Sequence, residues 1–246
     1  MILATSAALR FLPTQLSPLF QQSQDHLTES MRMGRPGVEL TQGEPLFAYY
    51  TGHPEEHEAF NRMMTAYLGD TPRLIATSYD FAGGTTVVDC GGGIGTLLSE
   101  VLQAHPQLSG TLFDTPGVIE QAARHYLAER WTAQAGDFFS HVPQGADFYL
   151  LSHIIHDWDD TDAITILRNC ATAAAPGARL LLAEEIVPAG DEPSPLKMLD
   201  VVLLSILAGG ERTLAEFDAL LDAAGLRRQR VIATGSTVSL IEAVPA

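Results

Sequence analysis

The chain has 246 residues, 46% hydrophobic and 18% charged, which suits one large α/β domain with a modest appendage and excludes general disorder. With 14 basic against 30 acidic residues its formal net charge is −16, so nucleic acid and anionic membrane surfaces are poor partners, and the acidity otherwise serves solubility. The two cysteines, Cys90 and Cys170, stand far apart without metal-ligand spacing; neither a disulfide framework nor a metal site is expected, and a reducing cytoplasm suits them.

In chain order, Met1 to Arg10 lacks the basic stretch and sustained apolar core of a signal peptide. Residues 1–75 then read as a helical N-terminal segment. Polar helix-like runs cover Leu19 to Met33, turns are signalled at Gly34-Arg35-Pro36-Gly37 and Gly43-Glu44-Pro45, and a helix starts at His53-Pro54-Glu55-Glu56. That last helix passes through Phe60, Met63, Met64 and Leu68 at helical spacing. Its cluster of Phe60, Asn61, Met63 and Met64 reads equally as a wall for a flat ligand or as ordinary core packing.

From Thr85 strand and helix alternate. TTVVD, GTLFD, a short run before Gly136, ADFYLLS and ARLLLAEE are strands; Ile94 to Ala104, Gly117 to Arg130 and Asp160 to Ala174 are helices. Continuous apolar strands in such an alternation predict a buried parallel sheet with helices on both faces. The apolar stretch Val201 to Leu207 is far too short to cross a bilayer. Arg227 to Thr234, Gly235-Ser236 and Thr237 to Ala243 predict a terminal hairpin, hence one antiparallel strand, unlike an ordinary dinucleotide-binding dehydrogenase.

The sharpest local signal is Val-Val-Asp-Cys-Gly-Gly-Gly-Ile-Gly-Thr, residues 87–96, between a strand and a helix. Glycines there allow a tight turn and close backbone approach to a ligand, and the helix start adds free amides. Asp114 ends the next strand, where a carboxylate accepts from both ribose hydroxyls of an adenosine; a helix cap is the plainer alternative. In Gly136-Asp137-Phe138-Phe139 an acid beside an aromatic ring suits an adenine, and a turn acid with two core phenylalanines fits equally well.

Together VVDCGGGIG, LFDTPGVIE, GDFF, LLSHIIHDWDD and GGERTLAEF, in this order, resemble the plant caffeic-acid-type and bacterial natural-product O-methyltransferase family over roughly residues 45–246. The resemblance implies a Rossmann-like class I methyltransferase: a seven-stranded, mostly parallel sheet with a terminal antiparallel hairpin, in a catalytic domain of residues 76–246 that binds S-adenosylmethionine (SAM) and releases S-adenosylhomocysteine. It places Asp89, Gly91, Gly93, Asp114, Asp137, Phe138 and Ser152 at the cofactor and Phe60, Asn61, Met64, Asp157 and Trp158 at a small-molecule acceptor, an aromatic or polyketide-like hydroxyl compound of secondary metabolism. His156 becomes the base, with Glu184 and Glu211 as supporting acids; His153 and Glu185 are their immediate rivals. A histidine titrates near enough to neutrality to deprotonate a phenol during attack, and a carboxylate orients it.

Two departures stand out. The family carries a longer N-terminal dimerisation domain, of which only the tail, beginning around Thr5 to Arg10, is expected here, so a homodimer or heteromer through residues 1–75 is open. Before the HDW sequence the family often has a basic residue, where this chain has Ser152-His153. A SAM-binding relative that catalyses cyclisation, pericyclic reaction, hydroxylation or decarboxylation, and a non-catalytic partner subunit, are the alternative functions.

Overall fold

Two interleaved sets of chain segments make up the computed structural model, which describes residues 17–125 and 130–246. The first unit contains the described residues through Gly69 together with Gly190–Glu211; the second contains Asp70–Ala189 and Arg212–Ala246. The expected boundary at residue 75 therefore becomes three crossings of the chain. The segment Thr5 to Arg10 lies outside the described residues.

The first unit is helical: α1 (Pro18–Asp25), α2 (Leu27–Met33), α3 (Gly37–Gln42), α4 (Leu46–Gly52) and α5 (Pro54–Leu68), joined by α10 (Pro195–Ile206) from much later in the chain. The helix-like runs expected over Leu19 to Met33 are two helices. His26, at φ −96° and ψ 9°, ends α1 with its N–H turned back to Ser23 O at 3.2 Å. Gly34 and Gly43 then close α2 and α3 in the left-handed conformation. Leu19, Phe20, Val38, Leu46 and Tyr50 bury against Leu203, Ile206 and Leu207, so the apolar run at Val201–Leu207 is a core helix of this unit. Gly37 makes the crossing possible: a β-carbon there would lie 2.2 Å from Ser23 O and 3.0 Å from Ser205 O.

The second unit holds α6 (Thr71–Ser78), β1 (Thr86–Cys90), α7 (Thr96–Ala104), β2 (Ser109–Asp114), α8 (Pro116–His125), β3 (Trp131–Ala135), β4 (Phe148–Ser152), α9 (Asp160–Ala173), β5 (Arg179–Glu185), α11 (Leu214–Ala223), β6 (Leu226–Ala233) and β7 (Val238–Pro245). The strands order β3-β2-β1-β4-β5-β7-β6, with β1 to β5 parallel and β7 antiparallel to both neighbours. Strand period sorts the side chains onto two faces. Tyr149, Leu151, Leu180 and Leu182 face a core with Ile166, Leu167 and Phe217; Phe148, Leu150, Leu181 and Ala183 face one with Ile75, Leu98 and Val101. Sequence order runs outward in both directions from β1 and β4, which makes the gap at their carboxyl ends the topological switch point.

Candidate active site

Between β1 and α7 the chain turns through Gly91, Gly93 and Gly95 at φ 69°, 60° and 86°. Side chains are excluded here by contact as well as by conformation. A β-carbon on Gly91 would lie 2.5 Å from Ile154 Cδ1, and one on Gly92 2.6 Å from the Asp89 carboxylate. Asp114, ending β2, accepts from Gly93 N–H (2.9 Å) and Thr115 N–H (2.7 Å), so it braces the turn with lone pairs left over. Asp89 lies buried beneath the turn, its oxygens without a donor at full hydrogen-bond distance among the described residues, though the nearby Leu98 amide favours its charge weakly. Burial first, and the Asp114 carboxylate second, push Asp89 up to about 7. Burial also lifts Asp114 to about 6 against the pull of the two amides.

After β3, Asp137 caps its own turn, accepting from Phe139 N–H (2.9 Å) and Ser140 Oγ (3.2 Å). Asn169 of α9 donates to the carbonyls of Phe138 (2.7 Å) and Phe139 (2.9 Å) and fixes this turn from behind. Both phenylalanines meet the Trp158 ring edge-on, at 5.9 and 4.7 Å between centroids. Phe138 also borders the glycine turn, 3.4 Å from the position of a Gly91 β-carbon.

The third wall leaves β4 at Ser152. His153 still pairs with the sheet through N–H to Ala183 O (3.0 Å), then takes a left-handed φ of 54° that throws the chain into a one-turn 3₁₀ helix, Ile155–Asp157. Glu184 Oε1 caps that turn, accepting from the amides of Ile154 (3.2 Å) and Ile155 (2.8 Å). Its Oε2 lies 3.8 Å from His156 Nδ1, and Asp157 Oδ1 lies 3.3 Å from Nε2. The imidazole, 7% exposed, thus lies between two carboxylates. His153 sits edge-on to His156 at 5.5 Å, with Nδ1 3.2 Å from Ser152 Oγ. Burial first and His156 second push its basicity down, leaving it neutral at pH 7. Glu185, one residue on, points to the opposite face and accepts from the Thr237 hydroxyl.

The remaining candidates lie in the first unit. Glu211 is buried, its N–H donating to Asp200 Oδ1 at 2.8 Å. Phe60 packs on Tyr50 at 5.2 Å beside the core of that unit, while Asn61 and Met64 are half-buried on α5 and Met63 is buried. Arg212 and Asn169 escaped the sequence reading, because each works through backbone carbonyls far along the chain; Arg212 at least lay inside the GGERTLAEF signature. An apolar groove of about 510 Å³ lined by Val187, Pro188, Leu214 and Asp218, among others, contains none of the candidate residues. Among the described residues no cluster of histidines, cysteines and acids could hold a metal ion, and no helix is long and apolar enough to cross a membrane.

A family model for the O-methyltransferase domain matches residues 24–227. The chain belongs to the O-methyltransferase family. The relatives of this O-methyltransferase-family chain include a mitomycin biosynthesis 6-O-methyltransferase of Streptomyces lavendulae, 38% identical over 226 residues that make up 90% of this chain and 64% of the relative. A phenazine O-methyltransferase of Lysobacter antibioticus is 38% identical over 220 residues, 88% of this chain and 64% of the relative. The chain thus spans about 64% of the length of these two curated relatives. An O-methyltransferase from neocarzinostatin biosynthesis, solved with SAM and 2-hydroxy-5-methyl naphthoic acid, superposes with a TM-score of 0.87 at 33% identity, covering 99% of this chain and 74% of that one. The sheet with its terminal hairpin is the class I methyltransferase fold of these neighbours.

Proposed function

We propose that the chain binds SAM and transfers its methyl group to a hydroxyl of an aromatic or polyketide-like small molecule. The observation that carries this reading is the capped 3₁₀ turn: it holds a buried imidazole between Glu184 and Asp157, in the same loop whose Ile154 touches the glycine turn. The pocket residues fit the cofactor. The glycine turn keeps backbone free of β-carbons, Asp114 has acceptor capacity for the ribose hydroxyls, and Asp89 is a buried carboxylate still short of a donor. Asp137 and Phe138 would take the adenine, with Ser152 lining the cofactor side. SAM, when bound, supplies an electrophilic methyl on a sulfonium.

The chain's own residues supply the rest. His156 takes the acceptor's hydroxyl proton as the oxygen attacks; Glu184 at Nδ1 orients the ring and stabilises the imidazolium. Trp158 and the paired phenylalanines exclude water from the oxygen's path. Glu211 is proposed as the second supporting acid, and Phe60, Asn61 and Met64 as acceptor contacts. An aromatic hydroxyl is the substrate class because it has a proton, with a pKa near 10, that a histidine can remove during attack.

Calorimetric titration of the purified chain with SAM and with S-adenosylhomocysteine tests the first half. Binding that Asp114→Ala abolishes is expected; a well-folded chain that binds neither ligand refutes the reading. Labelled-methyl transfer to a panel of hydroxynaphthoates and phenols tests the second half, and His156→Ala is expected to slow it by about 10²–10⁴-fold.

A further inference from the structure

Arg212 is bonded to the backbone on both sides of His156 and Asp157. Although charged, it is only 7% exposed. Its Nη1 donates to Ile155 O (2.8 Å) and its Nη2 to Trp158 O (2.8 Å); Nη2 and Nε both reach Asp160 Oδ1, at 2.8 and 3.2 Å. The two carbonyls flank His156 and Asp157 on either side. The turn is therefore held twice by ionised side chains: its leading amides by Glu184, its carbonyls by Arg212. The backbone of Arg212 is fixed as well, bridging Ile186 and accepting from Val187 N–H at 3.0 Å, just beyond the strand that delivers Glu184.

We infer that Arg212 is a positioning residue for His156: one guanidinium locks the turn carrying the imidazole to the strand end carrying Glu184, and so sets the separation of ring and carboxylate. The inference builds on the proposed function, yet its geometry concerns the free chain. Five N–H donors in a rigid fork are needed to serve two carbonyls and a carboxylate at once. A lysine serves fewer. Without the fork, both carbonyls of this largely buried turn lose their charged donor, Ile155 O keeping only the 3.5 Å bond from Trp158 N–H, and the turn relaxes outward to find water. His156 then drifts from Glu184 while the glycine turn and Asp114 stay in place.

The test is to follow His156 in the free chain by long-range ¹H–¹⁵N spectra of its ring across pH, in wild type and in Arg212→Met, Arg212→Lys and Arg228→Met. Glu184, Asp157 and His153 are among the groups facing the ring, so its titration responds to their distances. Arg212→Met is expected to shift the His156 midpoint by about half a pH unit or more. It should also lower kcat by about 10–100-fold with SAM affinity within about twofold. Arg212→Lys should recover part of both, and Arg228→Met, which cuts an ion pair elsewhere in the second unit, should change neither. A wild-type titration and kcat in Arg212→Met overturns the inference. Should that variant not fold, Asp160→Ala keeps Arg212 and removes only an exposed anchor; a smaller shift in the same direction supports the inference, and no change in either readout overturns it. Absence of methyl transfer by the wild type would defeat the proposed function alone, since the titration still reads the geometry.

Discussion

At the scale of single residues, Asp89 shows how a buried carboxylate costs stability. Its neutral form is favoured in the fold, so its contribution is fully present below the ordinary carboxylate range and is lost as pH rises through about 7. At pH 8 the ionised, buried acid is a liability until a cation or donor arrives. Asp89→Asn should therefore stabilise the free chain by about 1–3 kcal/mol at pH 8 and by almost nothing at pH 4. Denaturant unfolding at both values checks this; an equal gain at both would show that the charge is not the cause. The same variant should weaken SAM binding. Asp89 was legible as part of the glycine signature, whereas its burial beneath Gly92 was not. The rivalry of Glu184 and Glu185 was likewise undecidable from composition, because adjacent strand residues face opposite ways and the strand's phase is set by the sheet.

At the scale of elements, legibility followed burial on both faces. β1, β4 and β5 are continuous apolar runs because helices cover each side, and they were recognisable as such. Short helices held mainly by tertiary contacts were not: α3 and α4 span 6 and 7 residues. Nor was α11, although Thr213 and Glu216 announce it. Each accepts from the other's backbone amide, Thr213 Oγ1 from Glu216 N–H at 3.4 Å and Glu216 Oε2 from Thr213 N–H at 2.7 Å. Thr213→Ala should cost about 1 kcal/mol in denaturant unfolding. The edge strand β6 carries its own protection, with Arg228 paired to Asp218 and Arg230 to Glu242, so its exposed rim presents charge to an incoming strand.

At the scale of the whole chain, the first unit depends on residues that arrive late. Leu199, Leu203, Ile206 and Leu207 complete a core begun by Leu19, Phe20 and Val38. Leu203→Ala is expected to cost about 2–5 kcal/mol and to expose amides of α1 and α3 to hydrogen exchange together with those of α10. Protection lost in α10 alone would mean that the unit is not cooperative. Nothing in the local pattern of Val201–Leu207 tells which distant surface it will cover, which is why a boundary near residue 75 looked sufficient from sequence.

The crossing at Glu211–Arg212 also bears on how relatives could exchange parts. A transplant of the first unit from another family member has to take Gly190–Glu211 along with the N-terminal helices, and its last seam splits the GGERT signature. Glu211 would travel with the donor while Arg212, clamped on the recipient's HDW turn, stays behind. Recombinants joined at that peptide bond inherit the two halves of the signature from different parents. Those joined a few residues to either side keep it whole, and a shuffled library should retain them preferentially.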